Sequence, residues 1–151
     1  SLSSVSEEAY SIREGMKTAE QRMKELQKLI ENGENYLQYK PIHAELKKLK
    51  NGWTNKRDKY EDAHRAELTL WNAASRYLHA NLTDTKTLPI SKWKQEYADL
   101  KEQRDTDYTK LKATRAEVAE LQKIRKCVDI ALKAEQPEQT QNRAKRQEQE
   151  R

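Results

Sequence analysis

The chain has 151 residues, of which 34% are apolar and 36% charged, with a net charge of +5 and no phenylalanine. This composition excludes a thick globular core and suits helices that share narrow apolar seams. No run approaches the roughly 18–20 consecutive apolar residues of a membrane span. No signal-peptide apolar region opens the chain, and Ser1 in first place points to an excised or processed piece. Cys127 is the only cysteine, so an intrachain disulfide is impossible and the cytoplasm is the expected location.

The first apolar register runs Ala9, Ile12, Met16, Ala19, Met23, Leu26 and Ile30 in unbroken three-four alternation. It predicts a helix over about 6–31, capped by Ser4 or Ser6 with Glu7 and stopped at Asn32-Gly33. A second register takes Ile42, Leu46, Leu49, Trp53, Lys56, Tyr60 and Ala63. It predicts a helix over 36–82, with a short turn and restart or a kink near Pro41. Asn51-Gly52 could break this helix, but the seam keeps phase across the pair, which favours continuity. Residues 83–91 lack periodicity and form the predicted hairpin tip. A third helix, capped by Ser91, is predicted over 91–134 and would be about 65 Å long. Its seam takes Trp93, Tyr97, Leu100, Leu111, Val118, Leu121, Val128 and Leu132, with a polar gap at Arg104 and Asp107. Residues 136–151 are polar without periodicity and are expected to be disordered.

The fold class is therefore all-α: an elongated, antiparallel, three-helix, coiled-coil-like bundle built on a long helical hairpin.

Charge is unevenly spread. Residues 36–82 hold 9 basic against 5 acidic groups, whereas residues 1–35 hold 5 against 7. The excess gathers at Lys47, Lys48, Lys50, Lys56, Arg57 and Lys59, around Trp53. Such a cluster can neutralise phosphates and is the candidate nucleic-acid-binding site. The competing reading is a solvated face whose cations pair with Asp58, Glu61 and Asp62. Trp53 can be a core residue or an exposed stacking residue, and Trp71 and Trp93 read as core.

Glu61 and His64 form one E-x-x-H unit, but bundle di-metal sites use such units in pairs, so neither metal nor cofactor is expected. The carboxylates Glu96, Asp99, Glu102 and Asp105 read as an ion-paired surface. Tyr36 and Tyr39 read as packing residues, since nothing nearby supplies the cation or metal that a nucleophilic tyrosine needs. Without a phosphate loop, a catalytic triad or a reactive-cysteine context, the chain is read as non-enzymatic.

Certain passages carry a family resemblance. They are Glu61-Asp-Ala-His-Arg-Ala-Glu-Leu-Thr-Leu-Trp71-Asn-Ala-Ala-Ser-Arg-Tyr-Leu78 and Leu88-Pro-Ile-Ser-Lys-Trp93-Lys-Gln-Glu-Tyr-Ala-Asp-Leu100. Tyr108, Lys110 to Leu121 and Cys127-Val-Asp-Ile-Ala-Leu132 follow in the same order. From about Glu31 to Lys133 the chain resembles the C-terminal helical region of relaxases, the mobilisation nucleases of conjugative plasmids and integrative elements. That family nicks DNA with an N-terminal domain bearing a tyrosine nucleophile and a metal-binding histidine cluster, and this chain has no sheet pattern and no such cluster. The resemblance thus implies a non-catalytic accessory region supporting DNA transfer. Its implied partners are DNA and accessory mobilisation or coupling proteins, with no membrane insertion. The alternative is a structural coiled-coil module, a spacer or a homo-oligomer, that binds protein only.

Overall fold

A computed structural model describes residues 2–135, so the tail expected over 136–151 lies outside the described residues. The protein is all-α. Four helices occur among the described residues: α1 (Leu2–Lys48), α2 (Lys56–Ala63), α3 (Arg65–Asn81) and α4 (Ile90–Ala134).

The chain divides into two compact units. The larger, Lys17–Arg104, is built on a core of Leu26, Leu29, Leu78 and Trp93, contributed by α1, α3 and α4. Leu26 and Leu78 are fully buried; truncating a side chain in such a position to alanine typically costs about 2–5 kcal/mol. Within this unit α1 and α4 run antiparallel, for Arg22 meets Glu96 while Glu34, further along α1, meets Lys94, which precedes Glu96 on α4. The Arg22 guanidinium grips Glu96 as a fork, with Nε donating to Oε1 at 2.8 Å and a terminal nitrogen to Oε2 at 3.2 Å. Asp99 accepts a hydrogen bond from Gln95. The smaller unit takes the first four turns of α1 and the part of α4 after Arg104. Its buried residues include Val5, Leu111 and Thr114, beside a groove lined by Ala9, Tyr10, Arg13, Arg115 and Val118.

Several boundaries differ from those read in the sequence. The first helix neither waits for a serine cap nor stops at Asn32-Gly33. It begins by Leu2 and continues through Gly33 and Pro41 to Lys48. Gly33 serves packing rather than termination. A Cβ there would lie 3.1 Å from the Trp93 ring and 3.3 Å from Ile90, so the missing side chain is what lets α4 approach. Asn32 spends its amide on the Lys28 carbonyl one turn back. Proline at 41 leaves the Leu37 carbonyl without its usual helical donor, and both residues are exposed, so water can replace it.

Asn51-Gly52 does break the helix, in spite of the seam that keeps phase across it. Residues 49–55 form a loop ending on Asn55, whose left-handed backbone (φ 48°) no helix accommodates. The helix expected over 36–82 is thus the end of α1, this loop, α2 and α3. Between α2 and α3 the backbone leaves helical geometry at His64 alone, where both the main-chain N–H and the ring nitrogen Nδ1 lie 3.0 Å from the Tyr60 carbonyl. The predicted tip survives as a connection over 82–89, braced by an Asp84 side chain that accepts from the Lys86 N–H. Ser91 is not the cap of the last helix. Residue Ile90 already opens α4, and the Pro89 carbonyl receives the Trp93 N–H.

Candidate nucleic-acid interface

The seven residues singled out by clustering occupy one turn-loop-turn passage. Lys47 and Lys48 close α1, Lys50 and Trp53 sit on the loop, and Lys56, Arg57 and Lys59 open α2. All seven are exposed. Basic residues suit the last turn of α1, where the helix dipole is negative. Lys56 and Arg57 are placed against that preference, at a positive helix N-terminus, and only Asp58 there answers the dipole.

An ordered loop holds these groups. Asn51 reaches across it in both directions: its amide donates to Asp58 Oδ1 at 3.0 Å, and its carbonyl oxygen accepts the Asp58 N–H at 3.2 Å. This clamp supplies the capping bond that the left-handed Asn55 does not make. The loop is further closed by the Asn55 N–H on the Gly52 carbonyl.

The clamp also changes the electrostatics. Asp58 is engaged by Asn51, and Asp62 pairs with Arg65 at 2.8 Å. None of the six cations makes an ion pair with another described residue. The face is therefore not the internally paired surface that nearby carboxylates allow. Trp53 is as exposed as an isolated residue, at 105%, and the continuous seam of Leu49, Trp53, Lys56 and Tyr60 does not exist.

Sequence reasoning missed the Asn51–Asp58 clamp. The Asn-Gly dipeptide was its visible signal, and apolar phase was the wrong criterion by which to overrule it. An aromatic stack between α1 and α3 was also unread. The Trp71 ring lies on His43, with centroids 3.6 Å apart and planes at 12°, and it also stacks on Tyr36 at 5.4 Å. Tyr36 and His43, seven apart on α1, share the face that makes this possible. Burial pushes the His43 imidazole below its ordinary value of 6.5, and Lys47 adds to the shift. Trp71 is half-buried with its Nε1 enclosed and without an acceptor among the described residues, while Trp93 is buried in the core.

Glu61 is exposed, and the His64 ring nitrogen Nδ1 lies 3.0 Å from the Tyr60 carbonyl. Among the described residues no group of three or more His, Cys, Asp or Glu could hold a metal. No described helix is long and apolar enough to cross a membrane.

No family model matches this chain, and comparisons with curated proteins and with solved structures also return no match.

Proposed function

We propose that this chain is a non-catalytic accessory domain of a conjugative relaxase that acts in the cytoplasm and contacts DNA through the α1–α2 loop. The observation that carries the reading is the passage from the end of α1 through the loop into α2: six exposed cations, none ion-paired among the described residues, around a wholly solvated tryptophan. Phosphates would replace water and counterions on Lys47, Lys48, Lys50, Lys56, Arg57 and Lys59, giving salt-sensitive affinity. The ring of Trp53 offers a stacking platform for a base. The relaxase assignment rests on the resemblance of the Trp71 and Trp93 passages, and the DNA contact rests on the loop. The chemistry of nicking would belong to another part of such an enzyme.

The test is anisotropy of labelled single- and double-stranded DNA with the wild-type chain and the K56E/R57E variant. The reading expects binding at low salt that the variant weakens at least tenfold. Equal affinity of the two proteins would remove the loop from the interface.

A second reading, a protein-interaction module without DNA binding, is favoured by a different observation. The C-terminal part of α4 exposes Ile124, Val128, Ile130 and Leu132, more apolar surface than a solvated helix end requires. It predicts no DNA binding at any salt concentration.

A further inference from the structure

The last turns of α4 carry an apolar stripe that no other described residue covers. Leu121 is half-buried, but Ile124, Val128 and Leu132 are 51%, 51% and 58% exposed. Leu121, Ile124, Val128 and Ala131 follow one another at three-four spacing and so share a helix face. Ile130 points to the opposite side and takes no part. The stripe follows along α4 after Leu111, Thr114 and Val118, of which Val118 lines a groove with Ala9, Tyr10 and Arg13 in the first turns of α1. Intrachain packing ends where the exposed stretch begins.

We infer that this stripe is a self-association surface, on which a second copy of the chain lays the same stretch of α4 in parallel. The charges choose both occupant and direction. With Leu121 and Val128 at a and Ile124 and Ala131 at d, Glu120 and Cys127 occupy g, and Arg125 and Leu132 occupy e. In a parallel pair each g residue faces the e residue of the following heptad on the other helix. Glu120 then meets the partner's Arg125, twice by symmetry, and Cys127 meets the partner's Leu132. An antiparallel pair sets g against g and e against e, which brings no opposite charges together. Both charged residues are exposed, and neither has an ion pair with another described residue. The stripe is two heptads long and buries far less than the ~1,200–2,000 Å² of a stable interface. Dimerisation is therefore weak, with a dissociation constant on the order of 100 μM.

The surface lies on α4 and is independent of the basic loop, so it stands or falls apart from DNA binding. Its test is sedimentation velocity of the full chain across concentrations bracketing that constant, together with cross-linking by a short bismaleimide at Cys127, the exposed sole cysteine. The expected result is a concentration-dependent monomer–dimer shift and a cross-linked dimer. I124E/V128E should abolish both while leaving helical circular dichroism unchanged. E120R should weaken the dimer several-fold, and the charge-swapped E120R/R125E should restore it. A chain that stays monomeric throughout overturns the inference and leaves the stripe to a helix of another protein. A dimer indifferent to I124E/V128E, or one that the charge swap fails to restore, also overturns it.

Discussion

Trp53 and His43 lie close in sequence and meet opposite fates. The Trp53 indole is left in water on a loop, and the six cations on the loop and the helix ends flanking it have no carboxylate partner among the described residues. A ring of that size gains most by being covered, so covering it is what a bound ligand would do. Replacing Trp53 by alanine should leave the melting temperature unchanged, because the ring touches no core. If a base stacks on it, W53A should weaken DNA binding by about 1–3 kcal/mol, roughly 5- to 100-fold. His43 is instead pressed on Trp71, where burial first and Lys47 second hold its pKa below 6.5. The unfolded chain takes up this proton near 6.5 and the folded chain only at lower pH. Its stabilising contribution is thus complete above about pH 6.5 and is lost as pH falls through the folded value. Other groups facing the stack are Tyr36 and, over the Tyr36 ring, the Lys40 ammonium at 5.8 Å. Thermal melts should show stability declining below about pH 6.5, and H43Q should remove that decline. Glu96, held below 4.5 chiefly by its hydrogen bond to Arg22, adds a separate loss at more acid pH. An H43Q protein that keeps the wild-type decline just below about pH 6.5 would refute the assignment to His43.

At the scale of elements, what was legible was periodicity, and what was not was the purpose of individual glycines and asparagines. The seam from Ala9 to Ile30 yields α1, and Trp93, Tyr97 and Leu100 yield the start of α4, because their apolar faces do pack. Two Asn-Gly pairs were assigned opposite roles from those they have. Gly33 is needed for an approach between helices distant in sequence, which no local signal reveals. Gly52 lies in a loop made possible by a left-handed Asn55 and a seven-residue Asn51–Asp58 reach. The basic cluster was legible as a cluster, but not the clamp that holds Asp58 on Asn51 instead of on a cation, nor the absence of ion pairs on the six cations among the described residues. The two helical glycines offer a direct comparison. Gly15 is exposed in the interior of α1, and a Cβ there meets nothing within 4 Å, so G15A should raise stability by about 0.5–1 kcal/mol. G33A makes the same gain in helix propensity but drives a methyl group into Trp93 and Ile90. Overpacking of that kind costs about 1–3 kcal/mol, so G33A should lower stability overall. Denaturant titration of the two variants checks the signs, and a stabilised G33A would mean that Trp93 yields freely.

At the scale of the whole molecule, a modest net charge of +5 hides the segment that matters, since residues 36–82 alone hold an excess of 4 basic groups. A protein that binds DNA by general basicity would respond weakly to any single pair of reversals. One that binds through six cations on the α1–α2 loop and its flanking helix turns should respond strongly to reversal of Lys56 and Arg57. Counterion release sets the scale: the logarithm of affinity falls with the logarithm of salt by about 0.9 per phosphate neutralised on duplex DNA. Six contacts therefore cap the slope at about −5, and K56E/R57E should flatten it by about 2. The measurement that bears most directly on the account is this salt titration of DNA binding, wild type beside K56E/R57E. The account predicts binding at low salt, a slope no steeper than about −5, and a flatter, weaker response in the variant. Absence of binding at low salt, or a variant with the wild-type slope, would contradict it.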